Sequence, residues 1–163
     1  MVYLGTRPLS TALYCAIVTD EKYAIYKFIK PKFFDKKQDI IKIINFYRDN
    51  ILSIVNRYQV SAAAIKKTEA NSIQGRGLED GRRIQLYSEG MVISTIGSCG
   101  KFCAGYYTNN MKSLYRHNFA EMTIQTIADE NRLTYEGNGI PDEDEYAKDA
   151  LVAAICCKTE LQR

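Results

Sequence analysis

Tryptophan is absent from this chain, proline occurs three times and histidine once, at His117. A lone histidine excludes a His-based metal cluster, and with no nucleophile beside it in sequence it offers no catalytic triad. No run of 18 or so apolar residues exists, so no membrane span is expected, and the N-terminus lacks the basic stretch and apolar core of a signal peptide. The five cysteines are an odd number, and Cys156 and Cys157 are neighbours on a helical pattern. A disulfide framework is therefore not expected; reduced, buried thiols in a cytoplasmic protein are. Cys99 and Cys103 have a spacing a metal can use, but with no second ligand pair they read as buried thiols. The most consequential absence lies at the start, where no Asp or Glu precedes Asp20.

What is present is an ordinary globular composition: 163 residues, 46% hydrophobic and 25% charged, enough for one domain over residues 1–163 with a self-sufficient core. The formal net charge of +3 permits a nucleic-acid partner without demanding one. Its distribution says more. Four acids are consecutive at Asp142 to Glu145, which leaves Lys66, Lys67, Arg76, Arg82, Arg83, Lys101, Lys112 and Arg116 in a distinctly positive remainder. Twelve tyrosines point to half-exposed aromatic surface, suited to base stacking, a protein interface or a homodimer.

Three strand-like runs open the chain: Val2 to Gly5, Thr11 to Val18 and Tyr23 to Ile29. The latter two form an antiparallel hairpin about the polar turn Thr19 to Lys22. From Asp39 to Tyr58, apolar residues recur every three or four positions, which is an amphipathic helix. Val60 to Ile65 (VSAAAI) follows as a buried parallel strand. A glycine-rich loop, Gln74 to Gly77, leads to a second helix over Leu78 to Gly90, and Met91 to Ile96 (MVISTI) reads as another buried strand. A Gly/Cys/Lys loop, a segment of mixed character from Asn110 to Asn131, a turn at Gly137 to Pro141 and a terminal helix complete the order. The expected class is α/β: a mixed five-stranded sheet, three antiparallel strands and then alternating helix and strand, with helices on both faces. No Walker loop, Rossmann fingerprint or nucleophile elbow is visible.

This element order is that of the ribonuclease H-like fold, and two segments, VSAAAIKKTEANS and YAKDALVAAICC, resemble the RuvC-type Holliday junction resolvase branch. The resemblance implies a Mg2+- or Mn2+-dependent nuclease in which carboxylates from the first strand, the fourth strand and the last helix hold two cations about 4 Å apart. The first-strand acid falls on Tyr3, Gly5 or Thr6, the fourth-strand Glu falls on Lys66, and only Asp149 matches, with Tyr146 one turn earlier. The resemblance thus implies a catalytically degenerate protein with no cofactor, acting by binding nucleic acid, with Asp149 a remnant neutralised by Lys66 or Lys67. Two alternatives stand beside it. An active nuclease would gather Asp149, Glu69 and Asp144 or Glu145 into a rearranged metal site, and a protein-interaction module would use the scaffold without nucleic acid. Family members pair through a helix on the sheet face, which implies a homodimer.

The candidate binding residues are Lys66 and Lys67, at a strand end where open sheets bind ligands, and Arg76, Arg82 and Arg83 around a helix start, with Lys112 and Arg116 beyond. The plainer readings are a solubilising strand end, a glycine turn at Gly75 and Gly77 with arginines paired to Glu79 and Asp80, and, for Asp142 to Glu145, a charged first helical turn favouring the helix dipole.

Overall fold

The computed structural model describes residues 1–69, 79–137 and 144–163. Arg76, the glycine loop at 74–77, and Asp142 and Glu143 fall outside them.

Strand β1 (Tyr3–Pro8) pairs antiparallel with β2 (Ala12–Val18), which pairs antiparallel with β3 (Lys22–Ile29). Helix α1 (Ile40–Tyr58) then returns the chain to β4 (Ala62–Lys66), parallel to β1 with Gly5 opposite Ala64. The next elements are helix α2 (Glu79–Ser98) and strand β5 (Phe102–Tyr106), parallel to β4. Helices α3 (Thr108–Tyr115) and α4 (Ile124–Glu130), a two-residue strand β6 (Thr134–Tyr135) beside β3, and α5 (Glu145–Leu161) finish the fold. Among the described residues the sheet has six strands, ordered β5-β4-β1-β2-β3-β6.

Two expectations about this order are corrected. The run Met91 to Ile96 is helical and belongs to α2, and the strand comes later, where a Gly/Cys/Lys loop was expected. Ile84, Ser88, Val92 and Ile96 are all fully buried, whereas Ile93 is 42% exposed. That spacing of four continues straight through Gly90, so one helix face buries against the sheet, where a buried strand would have hidden Ile93 as well. The sixth strand, β6, was also not anticipated.

Alternation along the strands creates two cores. Leu4, Leu13, Ile17, Ala63 and Ile65 meet α1 and α2 on one face. Tyr3, Tyr14, Ala16, Ala62 and Ala64 meet α5, α3 and α4 on the other. Helix α5 is apolar on almost every side, burying Ala150 through Cys157 without a break, because the sheet lies beneath it and α3 and α4 flank it. It also lies unusually close to β1. A Cβ on Gly5 would come 1.9 Å from the carbonyl oxygen of Ala150 and 2.6 Å from the nitrogen of Ala154, so only glycine permits this approach.

Candidate nucleic-acid interface

The tight β1–α5 contact brings the ends of β1 and β4 against the first turns of α5. On β1, Tyr3, Gly5 and Arg7 share the α5 face by simple alternation, and Arg7 is the one at the sheet edge. Its Nε lies 3.4 Å from Oδ2 of Asp149, and its Nη1 donates to the carbonyl of Lys66 at 3.2 Å. The side chains of Arg7 and Asp149 are only 12% and 15% exposed. Burial pushes the Asp149 carboxyl above its ordinary range, with Glu145 adding to the effect and the charges of Arg7, Lys66 and Lys148 opposing it.

Lys66 ends β4 on the same face and is itself buried. Its Nζ donates to Oε1 of Glu69 at 2.8 Å and to the carbonyl of Lys67 at 2.9 Å. The same Glu69 oxygen accepts from the backbone N and Oγ1 of Thr108, at 2.7 and 2.8 Å, across the start of α3. Burial acts to raise the Glu69 carboxyl, but these bonds and the Lys66 charge outweigh it and bring the pKa to about 2. One residue earlier, Thr68 is fixed by its N and Oγ1 donating to Glu89 of α2, at 2.7 and 2.6 Å. Two carboxylates thus clamp the chain as it leaves β4.

Between these groups lies a cleft of about 220 Å³, walled by Arg7, Lys66, Glu69, Thr108, Phe119, Ala120, Glu145, Tyr146, Lys148 and Asp149. Glu69, Glu145 and Asp149 therefore do share one cleft. Asp144 does not join them; as the N-cap of α5 it accepts from Tyr146 N at 2.9 Å, and its other oxygen accepts from Tyr14 and from Lys27. Among the described residues no three of His, Cys, Asp and Glu are grouped so as to hold a metal ion. The donors at this convergence do not fit a two-cation centre, since β1 and β4 present a guanidinium and an ammonium beside Asp149.

None of the three first-strand positions expected to carry an acid faces this cleft usefully. Tyr3 is buried in the core, Gly5 lies under α5, and Thr6 is turned to the other face, its Oγ1 donating to the carbonyl of Ala64. Arg7 was overlooked: it forms the ion pair with Asp149, and the charge of Lys66, one of the two lysines expected there, acts beside it. Strand alternation was the signal that could have found it.

The remaining candidates are dispersed. Lys67 leaves the cleft, its Nζ 5.2 Å from the ring centre of Tyr107, which is 43% exposed. Lys112 is exposed on α3. Arg116, in the left-handed region at φ 65°, closes α3 and lines a separate 610 Å³ cleft with His117, Glu130 and the C-terminal part of α5. Arg82 is half-buried and Arg83 exposed near the start of α2, and neither lines the cleft at Asp149.

The whole architecture has close counterparts among solved structures. Thermus thermophilus RuvC in complex with a Holliday junction substrate superposes with a TM-score of 0.73 at 15% identity, covering 99% of this chain and 95% of that one. The fold is that of RuvC. A second T. thermophilus RuvC structure gives 0.72 at 17% identity over 99% and 96%, and the yeast mitochondrial Holliday junction resolvase Ydc2 gives 0.61 at 10% identity over 96% and 75%. In sequence, the chain matches no protein-family model and no curated protein. The RuvC-like scaffold extends over nearly the whole chain.

Proposed function

We propose that this RuvC-like chain binds nucleic acid without cleaving it and needs no divalent cation to do so. One observation carries the reading: Arg7 and Lys66 stand at the ends of β1 and β4 facing Asp149, so the convergence where carboxylates would hold metal is neutralised by the chain itself. Half-buried Lys67 with Tyr107, and exposed Lys112 on the adjoining helix, give cations and an aromatic face, the pairing that phosphates and bases select. Because Lys66 is buried and paired, Lys67 and Lys112 are assigned the phosphate contacts. The outward face of α2 exposes Leu86, Tyr87 and Ile93, and supports assembly as a homodimer, which sedimentation of the purified protein tests directly.

Binding is tested by fluorescence anisotropy with labelled four-way junction, duplex and single-stranded DNA, and with RNA, over a salt series. Micromolar or tighter affinity that falls steeply with salt and weakens on Lys67→Glu is expected. The same substrates, incubated with Mg2+ or Mn2+, are expected to stay intact. Cleavage that disappears on Asp149→Asn would establish the rearranged carboxylate site of Glu69, Glu145 and Asp149 instead, and no binding to any nucleic acid at low salt would favour a protein partner.

A further inference from the structure

The connection between β3 and α1 reads Lys30-Pro-Lys-Phe-Phe-Asp-Lys-Lys-Gln-Asp39, four lysines against two acids around two phenylalanines, and Asp39 is already engaged by Lys42 and by the backbone nitrogen of Asp35. Phe34 packs on the α1 and α2 side of the core, and Phe33 meets it edge-on at 4.9 Å while remaining 80% exposed. No other large apolar side chain of the described residues is so exposed. The turn is built, since the Asp35 carboxylate accepts from the backbone nitrogens of Lys37 and Gln38 at 2.8 and 3.0 Å. That acid is spent on the backbone. Lys32 and Lys37 are both exposed, and Lys37 lies near enough to Asp35 for its charge to favour that carboxylate. Lys36 ties the segment to the β1–β2 turn, its Nζ 3.4 Å from Oγ of Ser10. Ser10 is three residues beyond Arg7, at most about 10 Å of extended chain. The segment therefore sits beside the β1–β2 turn that follows Arg7, with Phe34 on the face of the sheet opposite the Asp149 cleft.

We propose that this segment is a second nucleic-acid contact, in which Phe33 stacks on an unpaired base and Lys32 and Lys37 take the flanking phosphates. It rests on the nucleic-acid reading above and adds to it a preference for strands with accessible bases. One exposed ring set among ammonium groups matches base stacking with phosphate neutralisation, whereas membrane docking calls for a broader apolar surface.

The test compares single-stranded DNA and RNA, a four-way junction and a blunt duplex, with wild type, Phe33→Ala, Phe33→Trp, Lys32→Glu/Lys37→Glu and Lys67→Glu. Phe33→Ala is expected to weaken binding to the single strands and junction about tenfold and to the duplex less than about twofold, and Phe33→Trp is expected to retain wild-type affinity. The double charge reversal should weaken all ligands and flatten the salt dependence by roughly two counterions. Loss of affinity with Lys67→Glu but none with Phe33→Ala overturns this contact and leaves the general reading in place. Absence of binding by the wild type overturns both. Phe33-dependent binding to phosphatidylserine vesicles, with nucleic-acid affinity unchanged, assigns the segment to a membrane and overturns it.

Discussion

Substituting Met for Arg7 removes the partner of a carboxylate that has little water to fall back on. At 3.4 Å the two charges attract by about 5 kcal/mol for an effective dielectric of 20, a gross figure that desolvation of both groups offsets. Leaving Asp149 unpaired costs the part that is no longer offset, and with Lys66 still contributing we expect a loss of about 3 kcal/mol at pH 7, a large share of a domain's stability. The pH dependence has a definite sign. The folded pKa of Asp149 is raised, so its favourable contribution is complete below the unfolded value near 3.8 and is lost as pH rises through the folded value. Removing Arg7 raises that value further, so the deficit of Arg7→Met relative to wild type must grow from pH 4 to pH 7. Removing both charges, in Arg7→Met/Asp149→Leu, should recover most of it, because a buried pair replaced by apolar groups is often neutral. Urea unfolding at pH 4, 5.5 and 7, followed by circular dichroism, measures all three. A deficit below about 1 kcal/mol, one equal at pH 4 and pH 7, or a double variant no better than Arg7→Met, would refute the assignment of a buried, interdependent pair.

Lys66→Glu sets a buried carboxylate against Glu69 and is expected to prevent stable folding, while Lys67→Glu changes the unfolding midpoint little; soluble yield and thermal melts distinguish the two. Glu69 has a depressed pKa of about 2, so its stabilisation is present above the unfolded value of 4.5 and fades as pH falls toward 2; because the side chain is 42% exposed, Glu69→Gln should cost only about 1 kcal/mol at pH 7, and nearly nothing at pH 2, by urea titration. Gly5→Ala drives a Cβ into the α5 backbone and should cost well over 3 kcal/mol, whereas Gly90→Ala meets nothing within 4 Å and should gain about 0.5 to 1 kcal/mol. Millimolar Mg2+ should leave the wild-type melting temperature unchanged beyond ionic strength, and a metal-dependent rise of several degrees would show that a cation site survives.

The amino-acid sequence by itself determined the first three strands, α1, β4 and the terminal helix, because each carries its own period of two or of three to four and needs no partner to be recognised. It also determined that Lys66 stands where β4 ends and that Asp149 lies in the first turns of α5. Local pattern failed at Met91 to Ile96, where a run of apolar residues satisfies strand and helix alike, and only the position of the sheet shows which side chains are covered. The site was decided by tertiary structure. Arg7 is unremarked in sequence, the fifth of the six residues of β1. It acquires meaning only because Gly5 lets α5 descend onto β1 and carry Asp149 to it across 142 positions. Lys66 looked like a free phosphate ligand until Glu69 and Thr108 closed over it, a burial set by how α3 docks on the end of β4. Charge and residue type are properties of the chain; which charges meet, and how little water is left between them, follows from packing.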